Sequence, residues 1–232
     1  MNTLLFGVLP YVLLVIGIAG AIYRYNSNRF TWSTQSSQFL ENKTLFFGSF
    51  PWHYGIITVL LIHLFGFLIP AGLLAWNGSP IRLIILEVTG LAMGLLALFG
   101  LVALIYRRLT NVRAKAVTSQ WDALLLLVLL IQVITGVLTA ILYKWGSNWY
   151  AAAAAPYLWS IIALNPNVDL VANLPLLTKL HIINAMVIVA LIPFTRLVHF
   201  FVINIYKYLS RPYQVVRWYS RDSRTENIVQ YK

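Results

Sequence analysis

Residues 180–206 read LHIINAMVIVALIPFTRLVHFFVINIY, an almost unbroken apolar run with a histidine near each end. About 20 apolar residues, at roughly 1.5 Å of rise each, cross the hydrocarbon core of a bilayer, so this run predicts a membrane-spanning helix. His181 and His199 are 18 residues apart. At about 100° per residue that spacing returns to the same face of a straight helix. Pro193 lies between them and predicts a kink.

A second apolar run, residues 52–76, carries the remaining histidines of the chain. The chain has only four histidines, and His53 and His63 lie on this run. Two membrane-spanning helices that each carry two histidines predict binding sites for two metal centres, stacked across the bilayer.

The composition places the chain in the membrane. It is 60% hydrophobic and only 10% charged, which no soluble domain of 232 residues sustains. The absence of cysteine excludes disulfides, thiolate-bound iron–sulfur clusters and covalently attached haem. We therefore predict an all-α integral membrane bundle forming a single domain over residues 1–232. Its five predicted spans are residues 4–22, 52–76, 81–106, 122–143 and 180–206.

The charge of +11 is a topology signal rather than a sign of nucleic-acid binding, because the cations cluster on alternate connections. Arginines and lysines are frequent after spans one, three and five, whereas the opposite side carries Arg82, Lys144 and Lys179. The positive-inside rule then predicts an outer N-terminus and a cytoplasmic C-terminus in a prokaryotic cell membrane.

Antiparallel spans two and five would pair the histidines by depth. His53 and His199 would meet near the cytoplasmic face, and His63 and His181 near the outer face. The spacings within the two spans differ. The 10 residues from His53 to His63 cover about 15 Å of helix, whereas the 18 residues from His181 to His199 cover about 27 Å. Unequal helix tilts, or the kink in span five, would have to absorb this difference.

The ligand types favour b-type haem at both sites. Two neutral imidazoles without a thiolate suit the two axial positions of a haem, whereas zinc needs further ligands. The carboxylates that border the spans are Glu87 and Asp122. The alternative is that each histidine makes only a structural hydrogen bond between helices.

Haem propionates attract cations, and two arginines lie at the inner side. Arg196 precedes His199 by three residues, and Arg108 ends span three. Both are candidate partners of the inner propionates, or ordinary positive-inside residues. Asn184 would either orient the imidazole of His181 or serve helix packing.

Several short motifs occur in order over nearly the whole chain. In sequence order they are Arg24-Tyr25, Phe30-Thr31-Trp32, Ser36-Ser37-Gln38-Phe39-Leu40, His53 with His63-x-x-Gly66, Arg107-Arg108-Leu109, Pro193-Phe194-x-Arg196-Leu197-x-His199 and Arg211-Pro212-Tyr213-Gln214-Val215-Val216-Arg217. This set resembles the gamma subunit of membrane-bound respiratory nitrate reductase. The resemblance implies five helices that hold two b haems, with His63/His181 distal and His53/His199 proximal to the soluble subunits. It also implies quinol oxidation, with electrons passing to an iron–sulfur beta subunit and a molybdenum-containing alpha subunit that reduces nitrate in the cytoplasm.

The resemblance also indicates where quinol would bind. The family carries a lysine at the start of the third helix, near the distal haem, and this chain has Arg82 there. We expect Arg82 to contact menaquinol or ubiquinol near the outer face, between spans two and three; the alternative is an arginine that only snorkels to the interface.

Two other functions remain open from the sequence. One is a dihaem membrane anchor of a different redox complex, such as a hydrogenase or a sulfur- or heterodisulfide-reducing enzyme. The other is a haem-free structural anchor or a proton-linked transporter.

The connections and the tail suggest contacts beyond the bundle. Residues 23–51 and the basic tail 211–232 are expected to dock the soluble subunits, with binding to anionic membrane lipid as the alternative for the tail. The outer connection, residues 147–179, predicts a short interfacial helix plus irregular chain.

Overall fold

The computed structural model describes residues 2–27 and 43–202, and these are almost entirely helical. Five helical segments are long and apolar enough to cross a membrane. Their bounds are Thr3–Ser27, Leu45–Leu68, Pro80–Thr110, Gln120–Leu142 and Leu176–Phe194. The prediction of an all-α bundle with five spans is therefore confirmed. Residues 28–42 and the tail after residue 202, including the docking segments proposed there, lie outside the described residues.

Spans one, three and four are continuous helices over most of their length. Helix α1 is Leu9–Ser27, preceded by π-helical turns over Thr3–Val8. After α2 and α3, described below, α4 is Pro80–Thr110, α5 is Val112–Ala116 and α6 is Gln120–Leu142. A capping box between Ser119 and Asp122 starts α6, because each backbone N–H of this pair meets the other residue's side chain.

Span two starts and ends earlier than the predicted residues 52–76. Helix α2 is Lys43–Leu68, and a separate helix α3 is Pro70–Asn77. The break falls at Ile69, whose backbone has φ −133° and ψ 62°. A proline disfavours helical geometry in the residue before it, so Pro70 ends α2 and starts α3.

Span five is interrupted rather than straight. Helix α10 is Leu176–Leu191, two 3₁₀ turns follow over Ile192–Phe194 and Arg196–Val198, and α11 is His199–Val202. Thr195, between the 3₁₀ turns, is extended with φ −122°. The kink expected at Pro193 is confirmed, but the straight-helix argument that placed His181 and His199 on one face is wrong. The predicted end of this span, residues 203–206, lies outside the described residues.

The outer connection is mostly helical. It contains α7 (Gly146–Trp149), π-helical turns (Tyr150–Ala154), α8 (Ala155–Ile162) and α9 (Asp169–Ala172). Buried Tyr157 joins it to span one, because its hydroxyl donates to the carbonyl of Phe6 at 2.8 Å. The predicted short helix of this connection is therefore present.

The spans pack in an arc whose spatial order is one, five, four, three, two. Helix α4 packs against α2 and α6, α6 packs against α10, and α10 packs against α1. The α2–α4 contact is close at Gly100, where a Cβ atom would collide with the backbone of Trp52. Within the described ranges, α2 and α10 are not direct packing neighbours. Along the arc, the two histidine-bearing spans are therefore separated by spans four and three.

Candidate haem sites and quinol cavity

The inner histidines meet as the sequence predicts. The ring centres of His53 and His199 are 6.4 Å apart, with an angle of 66° between the ring planes. A metal held by two opposed imidazoles at about 2 Å from each nitrogen would separate the ring centres by roughly 6 Å. The spacing of this pair therefore suits one metal ion between two axial imidazoles.

Backbone carbonyls set the tautomers of both inner histidines. The Nδ1 of His53 lies 2.7 Å from the carbonyl oxygen of Ser49, and the Nδ1 of His199 lies 2.7 Å from that of Arg196. Because a carbonyl only accepts, each Nδ1 must carry the proton and donate. The two Nε2 atoms keep their lone pairs, which is the state a metal ligand requires.

The outer histidine of span two, His63, also has its tautomer set by a backbone carbonyl. The Nδ1 of His63 donates to the carbonyl of Val59 at 2.8 Å, which leaves its Nε2 as the acceptor. The rings of Tyr150 and His63 pack edge to face with centres 5.1 Å apart, and the Tyr150 hydroxyl donates to the His63 carbonyl at 3.0 Å. Burial raises the pKa of Tyr150 to about 12, so its phenol stays protonated at neutral pH.

His181 is held by span four. Its Nδ1 donates to the carbonyl of Gln132 at 3.1 Å and lies 3.0 Å from the hydroxyl of Thr135. Its Nε2 lies 3.1 Å from the side-chain nitrogen of Gln132 and accepts from it. His63 lies near enough for the two imidazoles to interact electrostatically. The outer pair therefore occupies one region, but no ring contact like that of the inner pair joins them within the described residues.

Three residues of span four belong to this site that sequence reasoning missed. Gln132 and Thr135 form hydrogen bonds with the imidazole of His181. Gly136 leaves room for that imidazole, since a Cβ atom at Gly136 would lie 2.9 Å from the ring carbon Cε1. Asn184 donates to the side-chain oxygen of Gln132 at 2.8 Å, so it reaches the imidazole through Gln132. The available signal was a polar pair at i and i+3 within a largely apolar span.

Two buried hydroxyls flank the outer site. Thr139 lies one turn after Thr135, and Thr178 lies one turn before His181. Neither hydroxyl has a hydrogen-bond partner in the described part of the chain. Because a buried polar atom without a partner is costly, these hydroxyls favour a polar group at this level of the bundle.

The inner arginines converge on one buried carboxylate. Arg196 Nε donates to Asp122 Oδ1 at 2.7 Å, and Arg108 lies 3.7 Å from Asp122 Oδ2. Arg196 also donates to the carbonyl of Val117, and Arg108 to the hydroxyl of Thr118. Both side chains thus bond protein groups at the inner end, and their propionate role remains a prediction.

Arg82 lies in the first turn of α4, near an apolar cavity. Its guanidinium carbon is 5.3 Å from the ring centre of Trp76, and its side chain is exposed. A cavity of about 320 Å³ is lined by Trp76, by Leu86 and by Ile62, the residue before His63. Its size falls at the lower end of small-molecule sites.

The donor sets fit haem better than a fully protein-bound metal. Within residues 2–27 and 43–202, no group of three or more histidines, cysteines or carboxylates could hold a metal ion. A site with two protein ligands suits haem, because the porphyrin supplies the remaining four nitrogens. His53 and His199, with both Nε2 atoms left open, satisfy that requirement.

The fold and these sites define a multi-pass membrane protein whose histidines suit axial ligation of a redox metal. The comparisons with known proteins agree. The sequence model described as nitrate reductase gamma subunit matches residues 2–219, and the chain belongs to this family.

Curated relatives of similar length support the assignment. The chain is 38% identical over 217 residues to the nitrate reductase gamma chain of Bacillus subtilis, covering 92% of this chain and 97% of that one. It is 31% identical over 223 residues to the respiratory nitrate reductase 2 gamma chain of Escherichia coli, covering 94% and 97%. The protein is therefore a membrane subunit of nitrate reductase, with a multi-pass location in the cytoplasmic membrane.

Proposed function

We propose that this chain is the dihaem cytochrome b subunit of a respiratory nitrate reductase and that it oxidises quinol. His53 and His199 hold the inner haem, and His63 and His181 hold the outer haem; ligation through Nε2 of His181 requires the Gln132 amide to give up its bond to that atom. The observation that carries the proposal is the inner pair, with ring centres 6.4 Å apart and both Nδ1 atoms bonded to carbonyls.

When bound, the two haems would supply one-electron transfer across the membrane. The protein's contribution is orientation. Carbonyls of Ser49 and Val59 hold the span-two imidazoles by bonds within their own helix, whereas span four orients His181. These bonds reduce the rotations that ligand binding would otherwise have to restrict.

Quinol binding is proposed at the cavity beside Arg82. The cavity is lined by Ile62, which precedes His63 in the sequence, and by Trp76, whose ring centre lies 5.3 Å from the guanidinium carbon of Arg82. An arginine at that position can donate to a quinone oxygen and stabilise a developing anion. The nearby cavity and the donor chemistry of the guanidinium favour a catalytic role for Arg82, with menaquinol or ubiquinol as the substrate.

The soluble partners are proposed at the cytoplasmic side. An iron–sulfur beta subunit and a molybdenum-containing alpha subunit would dock where His53 and His199 lie, in line with the cation-rich connections and the tail after residue 202. With the N-terminus outside, quinol protons would leave at the outer face while electrons leave at the inner face. Charge separation then follows from the position of the two sites.

Haem analysis of the membrane-bound complex tests the proposal. Pyridine haemochrome measurements should give two b haems per chain in the parent and about one in each single histidine-to-alanine variant. The variants His53→Ala and His199→Ala should lose the same spectral component, and His63→Ala and His181→Ala the other. If His53→Ala and His63→Ala deplete one common component, the proposed pairing is wrong. A parent without b haem would refute the function itself.

A further inference from the structure

The interruption of span five leaves two backbone carbonyls without the N–H donors that a continuous helix would give them. In a continuous helix, the carbonyls of Pro193 and Thr195 would accept from the N–H groups of Leu197 and His199. The N–H of Leu197 instead donates to the hydroxyl of Thr195 at 3.3 Å. The N–H of His199 donates to the carbonyls of Arg196 and Leu197. Because an unpaired backbone group within a membrane costs several kcal/mol, these two carbonyls require other donors.

Arg24, in the last turn of α1, supplies those donors. Its NH1 nitrogen donates to the carbonyl of Pro193 at 2.6 Å and to that of Thr195 at 3.0 Å. Hydrogen bonds from a charged donor are roughly twice as strong as neutral ones. Pro193 and Thr195 are both buried, so water does not easily replace the guanidinium there. Span one thus holds the non-helical part of span five from one side.

Asp122 holds the same segment from the opposite side. Its carboxylate accepts from the Arg196 side chain at 2.7 Å. The backbone carbonyl of Arg196 accepts from the Nδ1 of His199 at 2.7 Å. The orientation of the His199 imidazole therefore depends on where the backbone of Thr195 and Arg196 is held.

We propose that Arg24 is a positioning residue for the inner haem ligand: by clamping the carbonyls of Pro193 and Thr195 it fixes the segment that presents His199. This inference rests on the proposed function, because it takes His199 as an iron ligand. Arg24 acts through backbone atoms and needs no contact with the haem. Its loss should let the segment shift, and the imidazole of His199 should turn with it.

Electron paramagnetic resonance of the oxidised complex in its own membranes tests this role, since it can distinguish two low-spin ferric haems by their ligand orientation. In Arg24→Ala the inner signal should shift or disappear while the outer signal persists. In Arg24→Lys the inner signal should be shifted less, because an ammonium provides donors but not the planar fork of a guanidinium. The matched control is Arg113→Ala, which removes the same charge from an exposed position on α5 and should change neither signal.

An unchanged inner signal in Arg24→Ala would overturn the positioning role. Equal disturbance of both haems would overturn it as well, and would make Arg24 a general stabiliser of the bundle. If Arg24→Ala does not accumulate, Arg24→Lys decides, since only a shift confined to the inner signal supports the clamp. The proposed function fails separately: a parent complex without low-spin b haem, or a His199→Ala variant that keeps the inner signal, would refute it.

Discussion

Adding one methyl group at Gly136 should disturb the outer site selectively. A Cβ at this position would lie 2.9 Å from Cε1 of His181, about 0.5 Å short of the 3.4 Å at which ordinary contact begins. Overpacking of this kind costs about 1–3 kcal/mol. Replacing glycine by alanine inside a helix also stabilises the helix by up to about 1 kcal/mol. The expected net cost of Gly136→Ala is therefore about 0–2 kcal/mol, or up to roughly 30-fold weaker formation of the outer site.

A second glycine provides the matched control. At Gly90 in span three, the nearest atom to an added Cβ is the Ile62 side chain at 4.0 Å, so the methyl group makes only an ordinary van der Waals contact. Gly90→Ala should therefore gain the same helix stabilisation without a steric clash. The two variants should thus differ by about 1–3 kcal/mol in the stability of the outer site.

The assay is a redox titration of both haems in membranes, with haem content measured in parallel. Gly136→Ala should lower the content of the outer component, or shift its midpoint potential, and leave the inner component unchanged. Thermal denaturation of the purified protein gives a measurement that does not depend on electron transfer. If Gly136→Ala and Gly90→Ala behave alike in both measurements, the close approach of Gly136 to His181 has no energetic consequence and the reasoning fails.

Three further expectations concern single side chains. Tyr157→Phe should cost about 1 kcal/mol of stability, because it removes a buried hydrogen bond, and Tyr23→Phe at an exposed position should not alter the thermal denaturation midpoint. Arg82→Ala should slow stopped-flow haem reduction by a quinol analogue by about 10²–10³-fold, with Arg82→Lys retaining substantial activity; a normal rate in the alanine variant would leave this arginine a boundary residue. Tyr150→Phe should alter the outer-haem potential by the same amount from about pH 6 to 9, since a group whose pKa is raised to about 12 stays protonated throughout that range. A pH-dependent difference there would contradict the neutral phenol that donates to His63.

The boundaries of spans two and five show where sequence patterns mislead. Residues 52–76 were counted as one span because a single proline does not interrupt the apolar run, although Pro70 imposes a break in the helix. The helical period likewise treated residues 180–206 as a straight helix. Pro193 indicated a kink there, but not the extended residue Thr195, whose carbonyl accepts from the distant Arg24.

The candidate site was predicted unevenly for a related reason. The four histidines could be recognised from their types and positions, because imidazoles are scarce and lie on two apolar runs. Gln132 and Gly136 were missed, since neither residue type indicates a ligand site until the fold places span four against His181. Arg196 was a candidate partner of a propionate or an ordinary positive-inside residue, and its bond to Asp122, 74 residues away, could not be read from the sequence.

The sequence by itself determined the membrane class, the number of spans and the family, because these depend on composition, run length and motif order along the chain. The acceptors of the Nδ1 atoms of His53 and His63 are local, since they lie four residues earlier on the same helix, but the structure was needed to show these contacts. The tertiary structure decided the distance and ring angle of the predicted pair His53 and His199, the hydrogen bonds of Gln132 to His181 and the partner of Arg196. These features join residues that are far apart in sequence. Hydrogen bonds and ring contacts act over a few ångströms, so only the packing of the helices can select them.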